Sequence, residues 1–334
     1  FVVAAAAGAA SLAAARGARA QPARGGTVHL VVGFAPGGAA VVNLRLRDAV
    51  KRSGRLYMCA ENSCFLDFLR YWRKWFLEGR FGEVACAHCE YVHYLPETLV
   101  LPDGRRLTPS QAAAEGRTDA TPIWRADQPP IQYLTHDLGP LLEVLDDRAA
   151  AVTCMSSSTW CREAPLRPDA QVAVFRTERG RVIQCTVTLN TRVPGGHRYR
   201  LFGTEGGAEW FSHEERARVF FGQGDPHAGW TWTRLAAAAE GDDTTTGHGG
   251  VDGKLARAFV RAVLEGRPSP IDVYRGADYT LPGIVAAASA DRAGAALPIP
   301  DIRPQPFAGT RFWDHVPLPE RSSLDDVRLE TPPR

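Results

Sequence analysis

Between Ala150 and Phe221 apolar residues recur at every second position, and this alternation narrows the fold more than any other feature of the chain. Val172, Val174 and Arg176 alternate with Ala173, Phe175 and Thr177; a Glu178-Arg179-Gly180 turn follows, and residues 182–190 alternate again. Successive side chains of a strand point to opposite faces, so such runs read as strands with one face buried. Shorter strands at 197–203 and 208–211 flank Gly203-Thr204-Glu205-Gly206-Gly207. The pattern predicts an antiparallel meander with helices over one face.

Helical spacing lies on both sides of that block. Phe65, Leu69, Trp72 and Phe76 form an apolar stripe, with Asp67, Arg70, Arg73, Lys74 and Glu78 off it and Gly79 and Gly82 near its end. A strand is expected at 56–60 and another at 83–94, then a turn at Pro102-Asp103-Gly104-Arg105. Residues 222–250 read as a long loop, 252–265 and 274–290 as helices with Pro282 inside the second, and the stretch from Pro298 as a proline-rich surface tail. The fold class is therefore α/β in the α+β sense, within a chain of 334 residues that can bury a sizeable core.

At the front, residues 28–32 suggest a strand, followed by Gly33-Phe34-Ala35-Pro36-Gly37-Gly38 and a helix over 39–50. That is the frame of a phosphate-binding loop. The spacing is not G-x-G-x-x-G, however, and Pro36 removes one amide donor. Residues 1–20 are alanine-rich, and Ala18-Arg19-Ala20 fits a leader cleavage site. No other run is long and apolar enough to span a membrane. A net charge of +2, with no interleaved basic and aromatic residues, argues against a nucleic-acid partner.

Seven cysteines do not imply a full disulfide framework. Cys86-Ala87-His88-Cys89 lies in an expected strand, where residues 86 and 89 point opposite ways, so no metal site is expected. The run most suggestive of chemistry is Pro129-Pro130-Ile131-Gln132-Tyr133-Leu134-Thr135-His136-Asp137-Leu138-Gly139-Pro140. It sets His136 at the opening of an apolar helix, where an imidazole can take or give a proton.

Four runs resemble the Gfo/Idh/MocA oxidoreductases. Arg55-Leu56-Tyr57-Met58-Cys59-Ala60-Glu61-Asn62 is similar to the last strand of that family's dinucleotide domain, and Gly79-Arg80-Phe81-Gly82-Glu83-Val84 to the start of its substrate domain. Thr135-His136-Asp137-Leu138-Gly139-Pro140 resembles the helix with the catalytic histidine. Gly247-His248-Gly249-Gly250-Val251-Asp252 and Pro270-Ile271-Asp272-Val273-Tyr274 complete a match over about 44–303. A separate stretch, 21–40, resembles the solute receptors of tripartite tricarboxylate transporters. The resulting division is a possible leader (1–20), a truncated Rossmann-like remnant (21–60), a substrate and oligomerisation domain (61–303) and a proline-rich tail (304–334).

The resemblance implies an NAD(P)-dependent oxidoreductase of a sugar or polyol, with NAD or NADP as cofactor, no metal, and a homo-oligomer formed through the sheet. It also implies a cytoplasmic location, or a periplasmic one if the leader is real. His136 would be the catalytic base, with Gln132, Tyr133, Arg125 and His248 binding substrate, and Tyr91 and His93 at the pocket's edge. Two departures bear on activity. Gln132 stands where the family commonly has an aspartate, and none of Lys51, Lys74 and Lys254 lies in a Glu-Lys-Pro turn. The His-Asp-Leu-Gly-Pro run is similar to that of NAD-dependent glycosidases, which gives a second reading. A non-catalytic sugar-binding or assembly protein is the third.

Overall fold

The computed structural model describes residues 39–212, 216–222, 229–234, 247–304, 311–319 and 328–330. The expected leader, the glycine turn at 33–38, and His29, His213 and His227 lie outside them. The helices are α1 (Ala39–Ser53), α2 (Asp67–Leu77), α3 (Pro109–Ala114), α4 (Thr135–Leu145), α5 (Val251–Glu265) and α6 (Val273–Ala290). The strands are β1 (Val84–Val92), β2 (Leu99–Val100), β3 (Arg106–Leu107), β4 (Thr121–Pro122), β5 (Ala149–Ser156), β6 (Ala170–Thr177), β7 (Val182–Thr188), β8 (Gly196–Gly203), β9 (Gly206–Phe211), β10 (Arg216–Phe221), β11 (Thr231–Arg234), β12 (Leu297–Pro298) and β13 (Arg328–Glu330).

The main sheet runs β12-β5-β6-β7-β1-β8-β9-β10-β11-β13, while β3-β2-β4 form a small separate sheet around the turn at 102–105. The expected meander is present with one change. β1 inserts between β7 and β8, parallel to the first and antiparallel to the second. The long 222–250 loop also contains β11, which extends the sheet.

Alternation in β6 separates buried Ala173 and Phe175 from exposed Val172 and Val174. The inner face adds Ala87, Cys89 and Tyr91 of β1, Ile183, Cys185 and Val187 of β7, and Tyr199 and Leu201 of β8. Against it pack Leu138, Leu141, Leu142 and Leu145 of α4, with Phe68 and Trp72 of α2. The apolar stripe of α2 is thus core. Cys86 and Cys89 lie on opposite faces of β1, Cys89 inward.

Two expectations need correction. Residues 55–60 form no strand; that segment is tied by the Cys59 amide to the Ile271 carbonyl at 2.9 Å and by Ser269 Oγ to the Tyr57 carbonyl. One backbone bond is not a ladder, and among the described residues no neighbouring strand is there to make one. The tail does more than cover the surface: Phe312 is fully buried edge-on to Phe65, and Trp313 Nε1 donates to the Glu143 carbonyl.

The start of α4 is fixed by an exchange of hydrogen bonds. Pro140 has no N–H, so it cannot donate to the carbonyl one turn back, that of His136. The Tyr199 hydroxyl donates to that carbonyl instead, at 2.6 Å, and ties the helix start to β8. Close approach to α6 depends on two missing side chains. A Cβ on Gly139 would meet the Tyr279 ring at 3.2 Å, and one on Gly283 would lie 3.1 Å from the Ile131 carbonyl.

Candidate active site

At the end of β1 and the beginning of β8, beside the start of α4, aromatic and ionisable side chains meet. Tyr91 stands at the centre. Its ring stacks at 18° on His136 with centroids 5.5 Å apart, meets His197 edge-on at 5.1 Å, and lies 4.3 Å from His93 and 5.2 Å from Tyr133. Tyr91 and His197 are direct partners across the β1–β8 pairing, which explains their contact. Trp124 stacks on Tyr133 at 6.0 Å, and the Arg125 guanidinium lies over Trp124 at 5.4 Å. Buried Arg167 holds that wall by donating to the carbonyls of Arg125 and Leu95, both at 2.7 Å.

His136 Nδ1 donates to Glu61 Oε1 at 2.8 Å. Glu61 caps the short turn Asn62–Phe65, where the same oxygen accepts from the Ser63 amide at 3.1 Å. Burial acts against charge on either partner, but their mutual attraction outweighs it: His136 is held above the ordinary histidine value and Glu61 below the ordinary carboxylate value. A carboxylate therefore partners the imidazole although position 132 is glutamine; it comes from 75 residues upstream.

A second histidine–carboxylate pair adjoins the first. His197 Nδ1 donates to Asp137 Oδ1 at 3.0 Å, and the His197 and His136 ring centroids are 6.3 Å apart. Burial pushes the Asp137 carboxyl up, and His197 and then His136 pull it part of the way back. Burial likewise raises the Tyr91 and Tyr133 phenols, against the opposing pull of Arg125, so both are neutral hydroxyls at ordinary pH.

Of the residues expected from sequence, His136, Tyr133 and Arg125 come together here. Tyr133 lies in the short turn Pro130–Leu134, which precedes α4. Gln132, in the same turn, accepts from the Gln128 amide at 3.4 Å. His248 is 72% exposed and bonds Asp252 at 2.9 Å; Asp252 also accepts from Asn62 Nδ2 at 2.7 Å, next to Glu61. The His248 loop thus reaches the site through Asp252 and Asn62. Sequence reasoning gave Glu61, Asp137 and His197 no role. Only His197 carried a usable signal, its place two residues before Tyr199 on the inward side of a strand.

The family described as glycosyl hydrolase 109, C-terminal domain, matches residues 73–307. A glycosyl hydrolase family 109 protein of Saccharopolyspora erythraea is 26% identical over 255 residues, 67% of this chain and 51% of that protein. An alpha-N-acetylgalactosaminidase of Tannerella forsythia is 24% identical over 278 residues, 72% of this chain and 58% of that protein. The chain spans about half the length of the curated relatives it matches.

Among solved structures, an inositol dehydrogenase homolog of Azotobacter vinelandii, complexed with NADH and myo-inositol, aligns with a TM-score of 0.58 at 18% identity, covering 78% of this chain and 69% of that one. A levoglucosan dehydrogenase in complex with NADH and L-sorbose aligns at 0.60 and 19%, covering 78% and 70%. At such identities the likeness carries the fold alone. The resemblance of 21–40 to transporter receptors finds no support, and the family match begins beyond it, at Arg73. On a fold of the Gfo/Idh/MocA type, the chain belongs to the glycosyl hydrolase 109 family through its C-terminal domain.

Proposed function

We propose that this chain handles the sugar in an NAD-dependent glycosidase reaction, with an α-N-acetylgalactosaminide as the substrate class suggested by a named relative. The observation that carries this reading is the His136–Glu61 pair at 2.8 Å inside a wall of Tyr91, Tyr133 and Trp124, within a family of glycosidases. Neutral His136 takes the proton of a sugar hydroxyl, and Glu61 stabilises the imidazolium that results. The aromatic rings bind the apolar face of the sugar, and Tyr133 and Arg125 bind its hydroxyls, with Gln132 and His248 at the margins.

A nicotinamide cofactor, when bound, supplies a hydride acceptor that is restored in each turnover. The described residues fit the sugar side of such chemistry and not the dinucleotide side, since none of them forms a strand, glycine turn and helix facing a pyrophosphate. The roles above accordingly concern protons and sugar contacts alone.

The second reading is a sugar or polyol dehydrogenase, favoured by the fold shared with inositol and levoglucosan dehydrogenases. Incubation with NAD and 4-nitrophenyl α-N-acetylgalactosaminide separates the two. Nitrophenol release without accumulating NADH supports the glycosidase. NADH accumulating with a polyol panel supports the dehydrogenase and overturns our reading. Neither product, with no nicotinamide fluorescence change at millimolar cofactor, leaves a non-catalytic sugar-binding protein.

A further inference from the structure

The His197–Asp137 pair has no role in the reading above, and its construction is that of a proton donor. Asp137 sits in the first turn of α4 with its side chain only 1% exposed. Oδ1 accepts from His197, while Oδ2 is buried with no hydrogen-bond partner among the described residues. A carboxylate kept there for packing alone would be costly, because a buried charge needs partners. Its one hydrogen bond fixes the imidazole: Nδ1 carries the proton toward Asp137, so Nε2 is directed away from the helix.

His197 heads the inward row of β8, beyond buried Leu201 and Tyr199, and retains some exposure at the sheet's end. There it meets the edge of the Tyr91 ring, whose face is stacked on His136, and it also contacts His93 at 5.6 Å. Two carboxylate-oriented imidazoles therefore border one aromatic floor, 6.3 Å apart. Hydrolysis of a glycoside needs two kinds of proton traffic, one at a sugar hydroxyl and one at the departing oxygen. His136 and Glu61 serve the first.

We propose that His197, oriented by Asp137, is the general acid that protonates the departing aglycone oxygen; this rests on the glycosidase reading. His197 enters the step as the imidazolium, with one proton on Nδ1 toward Asp137 and a second on Nε2. The bond from the anomeric carbon to the aglycone oxygen breaks, its electron pair passes to that oxygen, and the Nε2 proton moves to it, leaving the neutral Nδ1–H tautomer held by Asp137. When water later adds to the sugar, its oxygen forms the new bond at the anomeric carbon and its surplus proton returns to Nε2. Asp137 is a positioning residue, acting through His197.

The test compares 4-nitrophenyl and methyl α-N-acetylgalactosaminides in the full chain with NAD. Nitrophenolate departs without a proton, whereas methoxide requires one. His197→Gln is expected to lose about tenfold on the nitrophenyl glycoside and about 10²–10⁴-fold on the methyl glycoside. Asp137→Asn should move the ratio of the two rates the same way by a smaller factor. That ratio, taken within one preparation, does not depend on the folded fraction. Equal losses on both substrates in His197→Gln, with wild type active, overturn the role of His197 alone. Wild type inactive on both substrates overturns the glycosidase reading and this inference with it.

Discussion

At the scale of the residue, the proposed chemistry turns on His136 and the carboxylate beside it. His136→Ala should lower turnover by about 10²–10⁴-fold with the thermal melt retained, and near-wild-type turnover would remove it from the mechanism. Because Glu61 holds His136 above the ordinary value of about 6.5, the base form is reached only at higher pH. The acid limb of kcat/KM should therefore lie above that value, and Glu61→Gln should move it down, since burial is then opposed only by the weaker attraction of Asp137 and Asp252. Stability follows the same pair. The histidine's contribution is complete below its unfolded pKa and is lost as pH rises through the raised one. The glutamate's contribution is present above the ordinary carboxylate range and is lost as pH falls through its depressed value. Melting temperature against pH should be flatter in Glu61→Gln; an unchanged curve would argue that the pair is not charged. His136 and Tyr133 were legible because one short run carries both. Glu61 was not, since it lies 75 residues from its partner and no periodicity links a turn cap to a distant helix start. The Gln132 substitution alone suggested a site without its carboxylate; three-dimensional packing supplies one.

At the scale of the element, α4 is held in register by a hydrogen bond from outside the helix. Removing the Tyr199 hydroxyl leaves the His136 carbonyl, already deprived of a helical donor by Pro140, without its hydroxyl partner. Tyr199→Phe should cost about 0.5–1.5 kcal/mol in urea unfolding, the net contribution of one hydrogen bond. Pro140→Ala restores an N–H one turn along, so the double variant should recover part of that loss. The two substitutions then couple in a double-mutant cycle, whereas simple additivity would refute the exchange. Pro140 in the sequence announced the missing donor, and the alternation of β8 put Tyr199 inward, but their meeting was not readable from either. Strand pairing shows the same limit. The alternation of β6 and β7 was clear from Val172 to Val187, whereas the insertion of β1 between β7 and β8 depends on a contact across about a hundred residues.

At the scale of the molecule, the sheet has two faces, and among the described residues the helices α2 and α4 pack on one of them. The other carries Val172 and Val174, each 38% exposed, with Val182 and Met155 more exposed still. Val172 pairs with Met155 and Thr186, Val174 with Thr153 and Gln184, and Val182 with Arg176, so the exposed face is a mixed apolar and polar surface of the kind found between subunits. The position of Val172 and Val174 in the hydrogen-bonded centre of β6 also excludes edge-to-edge strand addition, because both neighbours of β6 are already paired. The expected contact is therefore face to face between two copies, with the active site turned to the opposite, helix-covered side. Replacing Val172 and Val174 together by glutamate sets like charges against their own copies across a two-fold interface while leaving the core face untouched. Sedimentation velocity at about ten micromolar, a range in which stable dimers stay associated, should show wild type as a dimer or larger and the double variant shifted toward monomer. Hydrolysis per chain should change little, because no site residue lies on that face. A monomeric wild type, or a double variant that stays associated, would remove the sheet face as the interface.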